Sequence, residues 1–322
     1  MRGARLRAPK QWELIDVDEP QPVPGQMLVR MERVAICGSD LPEYLGVHSG
    51  YPKDTGGTGH EGIGIVESCP SGSYAEGERV LLWGFDRGLF QEKVNTRDQG
   101  LLRLPVDHEP DVVLLTQLLG TVIRPFRKLG NLIHQHTVVL GQGPTGLLFN
   151  AVLRNLGACT IIASEPLEYR RQLSLTLGAT HVVDPQITDL VPVVKEITDG
   201  AMADVVVEAV GDVDTYRLCP DLVRRKGTVI GFGVPDKVNQ QGEVKLPLLR
   251  MQRREVDLLM TVNAGDHPIE DYRSALDWIL QDRIDIRSLL THSLPFEEIQ
   301  RGFELAAERP AEGKPVKVIL RF

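Results

Sequence analysis

Short apolar runs separated by glycine, proline and serine clusters occupy the first hundred residues, and those at 27–30, 62–66 and 79–82 predict strands of a β-rich region. From about Val112 to Leu129 the pattern becomes helical, and beyond it the rhythm changes. Val/Ile-rich runs at 137–140, 159–163, 181–183, 203–207 and 227–232 alternate with helical stretches, among them 145–156 and 170–177. Apolar strands alternating with helices of about ten to fifteen residues predict a parallel sheet covered by helices. Segments 272–280 and 296–307 predict two further helices, and 316–320 a closing strand. No internal repeat or low-complexity linker breaks the pattern. The expected fold class is α/β: a β-rich domain, an inserted domain with a doubly wound parallel sheet, and a return of the chain to the first.

Composition narrows this picture. A chain of 322 residues is comfortable for two domains of ordinary size. Its formal charge of −8 argues against a nucleic-acid partner, which needs a basic face. The N-terminus carries arginines but no apolar core of a secretory signal, and no apolar run approaches the roughly 18–20 residues of a membrane span. Cys37, Cys69, Cys159 and Cys219 lie far apart without a pairing framework, which fits a reducing cytoplasm.

Two stretches carry candidate chemistry. Gly141-Gln142-Gly143-Pro144-Thr145-Gly146 follows a predicted strand and opens a predicted helix. Glycines there permit a tight turn and close backbone approach, so the helix N-terminus can face a pyrophosphate. Nineteen positions after Gly146, at the end of the next strand, Glu165 can accept from both ribose hydroxyls and repel a 2′-phosphate. NAD is therefore favoured, with NADP left open by Arg170 and Arg171; the competing reading of Glu165 is a cap on the helix that starts near Pro166. Upstream, Cys37-Gly38-Ser39-Asp40 and Gly59-His60-Glu61 are glycine-marked turns bearing thiol, imidazole and carboxylate, the ligand types of zinc. Singly, each has a bland alternative: a buried free cysteine, a hydrogen-bonded histidine, a solvated charge.

Three further segments complete a recognisable set: Glu76-Gly77-Glu78-Arg79-Val80, the stretch DVVVEAVG from Asp204 to Gly211, and Thr291-His292-Ser293-Leu294-Pro295-Phe296. Together with the two chemical motifs they make the chain resemble the zinc-dependent medium-chain dehydrogenases (alcohol, sorbitol, threonine and archaeal glucose dehydrogenases) over essentially its whole length. The resemblance implies a GroES-like catalytic domain at 1–118 and 263–322 and a Rossmann NAD-binding domain at 119–262. It implies that Cys37 and His60 bind a catalytic zinc, with Gln117 at the third ligand position, as in some archaeal glucose dehydrogenases. An amide oxygen is a weaker donor than a carboxylate or thiolate, so Glu61 is read either as a swinging ligand or as a compensating charge beside the metal. Cofactor contacts implied in the same way are Thr121, Val210, Gly211, Phe232, Val262 and Asn263, beside Gly141, Gly143, Pro144, Thr145, Gly146, Glu165 and Arg170.

The chain departs from the family in two places. The lobe of four closely spaced cysteines that holds a structural zinc is missing, so one zinc per chain is expected. The family's relay histidine, five residues beyond the first ligand, is replaced by Pro42. The activity implied is hydride transfer between a secondary alcohol of polyol, sugar or cyclitol type and NAD, with Ser39 accepting the hydroxyl proton. Trp83 stands where the family lines its substrate pocket, with Phe85 close behind; it either lines that pocket or plugs the space left by the missing lobe. Two other readings stand beside this one, a zinc-free quinone or enoyl reductase of the same superfamily and a non-catalytic NAD-binding regulator. A small alcohol or carbonyl substrate, no membrane partner and a homodimer or homotetramer are also expected.

Overall fold

The structure is a computed structural model and describes residues 1–84, 88–235, 243–261, 268–308, 310 and 312–322. The chain divides into two compact units, one made of Met1–Gly120, Asp266–Asp282 and Ile286–Phe322, the other of Thr121–Gly265 and Arg283–Asp285.

The first unit opens with β1 (Arg2–Ala8) and β2 (Gln11–Asp16), an antiparallel hairpin. There follow β3 (Gln26–Ala35), α1 (Leu41–Leu45), β4 (Glu61–Ser68), β5 (Arg79–Trp83), β6 (Lys93–Arg97), β7 (Arg103–Leu104), α2 (Pro110–Leu114) and α3 (Thr116–Ile123). The helical stretch expected from Val112 to Leu129 is thus broken: it interrupts at Leu115 and passes into a 3₁₀ turn at Arg124–Lys128, where Pro125 lacks the N–H an α-helix would use.

The second unit alternates strand and helix throughout: β8 (His136–Leu140), α4 (Pro144–Asn155), β9 (Thr160–Ser164), α5 (Glu168–Thr176), β10 (His181–Val183), α6 (Leu190–Ile197), β11 (Ala203–Glu208), α7 (Val213–Leu222), β12 (Val223–Gly231), α8 (Leu248–Arg253) and β13 (Asp257–Met260). Its strands pair in parallel in the order β10-β9-β8-β11-β12-β13, the doubly wound order of dinucleotide-binding sheets. Val138, Ile162, Val206 and Val229 from the sheet bury against Leu190 and Val194 of α6 and Cys219 and Leu222 of α7. Their near-continuous apolar character is what a sheet covered on both faces demands.

The chain then returns to the first unit through α9 (Ile269–Leu280), β14 (Leu290–Pro295), α10 (Ile299–Glu308) and β15 (Lys317–Arg321). β15 pairs antiparallel with β3 and parallel with β14, giving a sheet in the order β14-β15-β3-β4-β5-β7 with β6 also on β3. This return matters for chemistry. It brings Lys317 of β15 next to the start of β4, and Tyr272 of α9 next to the end of β5. The mixed α/β architecture agrees with the class expected from the sequence; the N-terminal hairpin, α6, α7 and β14 were outside that reading. No helix among the described residues is long and apolar enough to cross a membrane.

Candidate metal and cofactor sites

β3 ends at Ala35, and the chain turns through Cys37 into a 3₁₀ turn, Gly38–Asp40. Asp40 Oδ2 accepts from the Cys37 backbone N–H at 2.8 Å, which fixes the turn that carries the thiol. His60 precedes β4, and Glu61 is its first residue, so two side chains are aimed by one strand start. A thiol sulfur of Cys37, a ring nitrogen of His60 and a carboxylate oxygen of Glu61 all lie within 4.8 Å of one another, the one such trio of His, Cys or acidic groups among the described residues. Tetrahedral zinc with bonds of about 2.0–2.3 Å separates its ligands by about 3.3–3.8 Å, so the trio matches that ion with small side-chain adjustments.

His60 is prepared as a ligand. Its Nδ1 lies 2.8 Å from the Thr58 carbonyl oxygen and 3.1 Å from Asp40 Oδ1, both acceptors, which places the proton on Nδ1 and leaves Nε2 as the donor atom for a metal. Nε2 is 3.1 Å from the Ser39 hydroxyl. Burial opposes charge on the ring, yet Asp40, followed by the Cys37 sulfur, holds the histidine well above its usual range.

Glu61 meets a partner that the sequence reading did not name. Lys317 Nζ donates to Glu61 Oε2 at 2.5 Å, with the side chains only 2% and 3% exposed. Burial pushes the Glu61 carboxyl up, but Lys317 and then His60 pull it below the ordinary carboxylate range. The converse holds for Lys317: against burial, Glu61 and Cys37 raise its ammonium above the usual lysine value. A buried pair of this kind is costly to break because the survivor is an uncompensated charge. A single lysine inside the apolar strand Val316–Leu320 was the signal available in the sequence.

Gln117 lies buried near the start of α3, and its Oε1 has no hydrogen-bond partner. An orphaned buried acceptor costs about 1–3 kcal/mol, a cost that a bound metal ion would remove. The Gln117 side chain is a polar neighbour of the Tyr272 hydroxyl, on which Glu61 also exerts its charge. Tyr272 is fully buried and its hydroxyl is driven strongly upward by burial. Trp83, across the β4–β5 register from Glu61, is also buried, its ring edge-on to Tyr272 at 4.9 Å and covered by the Arg97 guanidinium at 4.6 Å. Phe85 lies outside the described residues.

In the second unit, the glycine loop between β8 and α4 has three different demands. Gly141 has φ +84° and faces Val210, whose Cγ2 would stand 2.6 Å from an added Cβ. A Cβ on Gly146 would meet the Gly141 carbonyl oxygen at 1.9 Å, so the helix start packs directly on the loop. Gly143, the residue before α4, has nothing within 4 Å of the same position. That open space at a helix N-terminus, with Pro144 and Thr145 opening the helix, is what a pyrophosphate needs.

Glu165 is buried beside this loop. Its Oε2 accepts from the Gln142 backbone N–H at 2.7 Å and its Oε1 from that of Leu167 at 3.1 Å. The carboxylate thus ties the glycine loop to the start of α5, and each oxygen keeps a further lone pair. Gln142, which the sequence reading passed over, is wholly buried: it donates to the Val139 carbonyl and accepts from Asn150 and Ser174. Arg170 is buried over the Tyr169 ring, and Arg171 is engaged by the Glu165 and Pro166 carbonyls and by Asp184. Gly211, with φ +78°, donates its N–H to the buried Glu208 carboxylate, which also accepts from Val210. Phe232 packs edge-on to Phe149 at 5.1 Å, and Thr121 is buried in α3. Val262 and Asn263 lie outside the described residues.

Comparison with known proteins matches two family models, the alcohol dehydrogenase GroES-like domain over residues 23–106 and the zinc-binding dehydrogenase over residues 144–281. The L-threonine 3-dehydrogenase of Pyrococcus furiosus is 27% identical, the alignment covering 95% of this chain and 94% of that one. The sorbitol dehydrogenase of Halalkalibacterium halodurans is 26% identical over 94% of each. Among solved structures, the alcohol dehydrogenase TADH from Thermus sp. ATN1 superposes with a TM-score of 0.86 over 100% of this chain and 99% of the other, at 24% identity, which shows a shared fold.

Proposed function

The chain belongs to the zinc-type medium-chain dehydrogenase family, and from that premise we propose that it is a zinc-dependent alcohol oxidoreductase transferring a hydride between a secondary alcohol of polyol, sugar or cyclitol type and NAD. The observation that carries this reading is the convergence of Cys37, His60 and Glu61 within 4.8 Å, with the far nitrogen of His60 held by Asp40 and Thr58. Cys37, His60 and Gln117 would hold the zinc, with Glu61 either joining them or standing beside them as a compensating charge. When bound, the zinc lowers the pKa of an alcohol hydroxyl, and the nicotinamide accepts the hydride.

The protein's own residues supply position and electrostatics. Asp40 and Thr58 orient the imidazole. Lys317 pairs with Glu61 and balances its charge, so a site with a neutral amide at one corner keeps a defined total charge. Ser39, whose hydroxyl lies beside the metal-facing edge of His60, would accept the substrate's hydroxyl proton while passing its own towards the nicotinamide ribose. In the second unit the glycine loop receives the pyrophosphate and Glu165 the adenosine ribose, while Thr121, Val262 and Asn263 are assigned to the nicotinamide end.

We also read the assembly as a homodimer or homotetramer. β13 is a sheet edge that pairs only with β12 among the described residues, and it leaves Leu258 and Met260 exposed at 40% and 54%, beside the exposed Leu248 and Leu249 of α8. An apolar edge strand that stays uncovered invites aggregation, and pairing with its twofold copy covers it. Light scattering should give two or four times the chain mass, and Met260→Lys should lower it; a monomeric wild type overturns this.

The decisive experiment combines metal analysis with cofactor reduction. Purified protein should contain about one zinc per chain and reduce NAD with a polyol or sugar from a panel, while Cys37→Ser should hold almost none and lose the activity, because too few strong donors remain. A metal-free wild type that is fully active on carbonyl or enoyl substrates would favour the zinc-free reductase. NAD binding without turnover of any substrate would favour the regulator.

A further inference from the structure

Beside the metal trio stand two polar atoms that the proposed chemistry does not use. Trp83 Nε1 and the Tyr272 hydroxyl are both buried and neither has a partner at close hydrogen-bond distance, the Gln117 amide being the hydroxyl's polar neighbour. Their rings meet edge to face at 4.9 Å and 70°, so the two groups belong to one neighbourhood. That neighbourhood is tightly specified. Trp83 lies directly across the β4–β5 register from Glu61, and the Arg97 guanidinium covers its ring. Tyr272 is seated so closely on α3 that a Cβ at Gly120 would come within 2.4 Å of its Cδ1. Gly120 is three residues beyond Gln117, on the same helical face.

If this corner needed only bulk, phenylalanine at both positions would fill it without stranding an N–H and an O–H. Buried polar groups without partners are rare in folded proteins, and they call for a ligand or an ordered water. The chemistry of the pair says which ligand. An indole N–H only donates, whereas a phenol hydroxyl both donates and accepts. A neutral hydroxyl is the complement that satisfies both, accepting from one and donating to the other. A carboxylate fits less well, because Glu61 and Asp271 bring negative charge to Tyr272.

We propose that Trp83 Nε1–H and the Tyr272 hydroxyl read a second hydroxyl of the substrate, on the carbon next to the one oxidised, and so select vicinal diols over monoalcohols. This rests on the alcohol-oxidising reading above and narrows its substrate class. Tyr272 is then a specificity-determining residue: it contacts the substrate but not the reacting atoms. Selection of this kind is strong, because a site built to hydrogen-bond a hydroxyl is left with unpaired buried groups by an analogue that lacks it.

The test compares matched alcohols with the zinc-loaded, full-length enzyme and NAD: 1,2-cyclohexanediol against cyclohexanol, and 1,2-propanediol against 2-propanol. The wild type should favour the diol in kcat/KM by at least about a hundredfold. Tyr272→Phe should lower kcat/KM for the diol at least tenfold and leave the monoalcohol within threefold. Its melting temperature should stay level or rise, since the hydroxyl removed has no partner at close hydrogen-bond distance in the protein. Trp83→Phe, which keeps a ring and removes the N–H, should repeat the pattern. Equal loss on both alcohols, a lowered melting temperature for Tyr272→Phe, or a wild type that oxidises monoalcohols as readily as diols each overturns the inference while leaving the alcohol dehydrogenase reading standing. A wild type inactive on every alcohol, including glycerol, xylitol, sorbitol and myo-inositol, overturns both.

Discussion

Gly141 to Gly146 run consecutively from the loop after β8 into the first turn of α4, whereas Cys37, His60 and Glu61 reach one another from the turn after β3 and the start of β4. The cofactor loop is therefore a local object. Its backbone conformation, its packing and its open face are set by neighbours in sequence, with the adjacent strand end adding Glu165. The metal trio is a non-local one. Its ligands come from two turns, its charge is balanced by Lys317 some 256 positions away, and its flank is built by Tyr272 from the returning chain. A local site should tolerate change in distant strands but not in its own glycines. A non-local site should be sensitive to residues that carry no visible motif.

The largest expected effect tests that second half. Glu61→Gln leaves the Lys317 ammonium buried with no carboxylate, and breaking such a pair costs about 3–5 kcal/mol. Glu61→Gln/Lys317→Met should recover most of the loss in a urea titration, because no orphaned charge remains. The pH dependence has a definite sign. Glu61's folded pKa lies below the unfolded value, so its contribution is fully present above the ordinary carboxylate range and is lost as pH falls through the folded value. Lys317's folded pKa lies above the ordinary lysine value, so its contribution is present below that value and lost as pH rises through the folded one. The wild type should therefore lose stability at both extremes, and the double variant should show shallower limbs. A double variant no more stable than Glu61→Gln would mean that the pair is not the link between β15 and β4.

This contrast also explains how much could be read before any coordinates. The parallel-sheet unit was legible because alternating apolar strands and helices repeat one rule, and the sheet order is the one that rule produces. The glycine loop was legible because turn, strand and helix signals adjoin. Cys37 and His60 stood out as ligand types in glycine-marked turns, but a shared metal, and Gln117 with it, was implied only through resemblance, since nothing in the spacing of 37, 60 and 117 brings them together. Lys317 and Tyr272 escaped both routes. A lysine in an apolar strand reads as an edge residue, and a tyrosine in an amphipathic helix reads as core. Trp83 was read as either pocket or plug, and its burial against Tyr272 and Arg97 keeps the two readings joined in one residue. Asp40 was quoted in its motif, but its hold on His60 is a matter of geometry alone.

The local half of the comparison is tested at Gly143. Gly146→Ala should damage the fold itself, because its Cβ would sit 1.9 Å from a backbone oxygen. Gly143→Ala meets open space at φ −69°, a conformation alanine adopts freely. It should therefore leave the melting temperature nearly unchanged while raising the dissociation constant for NAD roughly tenfold or more, about 1.4 kcal/mol or more, by intruding where the pyrophosphate approaches. Isothermal titration with NAD beside a thermal melt separates the two effects. Loss of stability in Gly143→Ala, or unchanged affinity, would move the phosphate site away from this loop.

The smallest expected effect concerns Glu165, where the two readings of one carboxylate can be pulled apart. As a cap, it accepts from Leu167 and Gln142 and needs only its oxygens. As a cofactor selector, it needs its charge, because charge is what a 2′-phosphate opposes and what strengthens bonds from the ribose hydroxyls. Glu165→Gln keeps one acceptor oxygen and removes the charge; Glu165→Ala removes both. If the carboxylate selects, both variants should lower the ratio of kcat/KM for NAD to that for NADP, by about 1–2 kcal/mol or roughly tenfold, and the glutamine variant should lose less stability than the alanine one, because it keeps an acceptor for one of the two N–H groups. If it only caps, the alanine variant should lose stability and neither should move the ratio. A wild type that prefers NADP would exclude selection outright, and Glu165 would then be a brace between the glycine loop and α5.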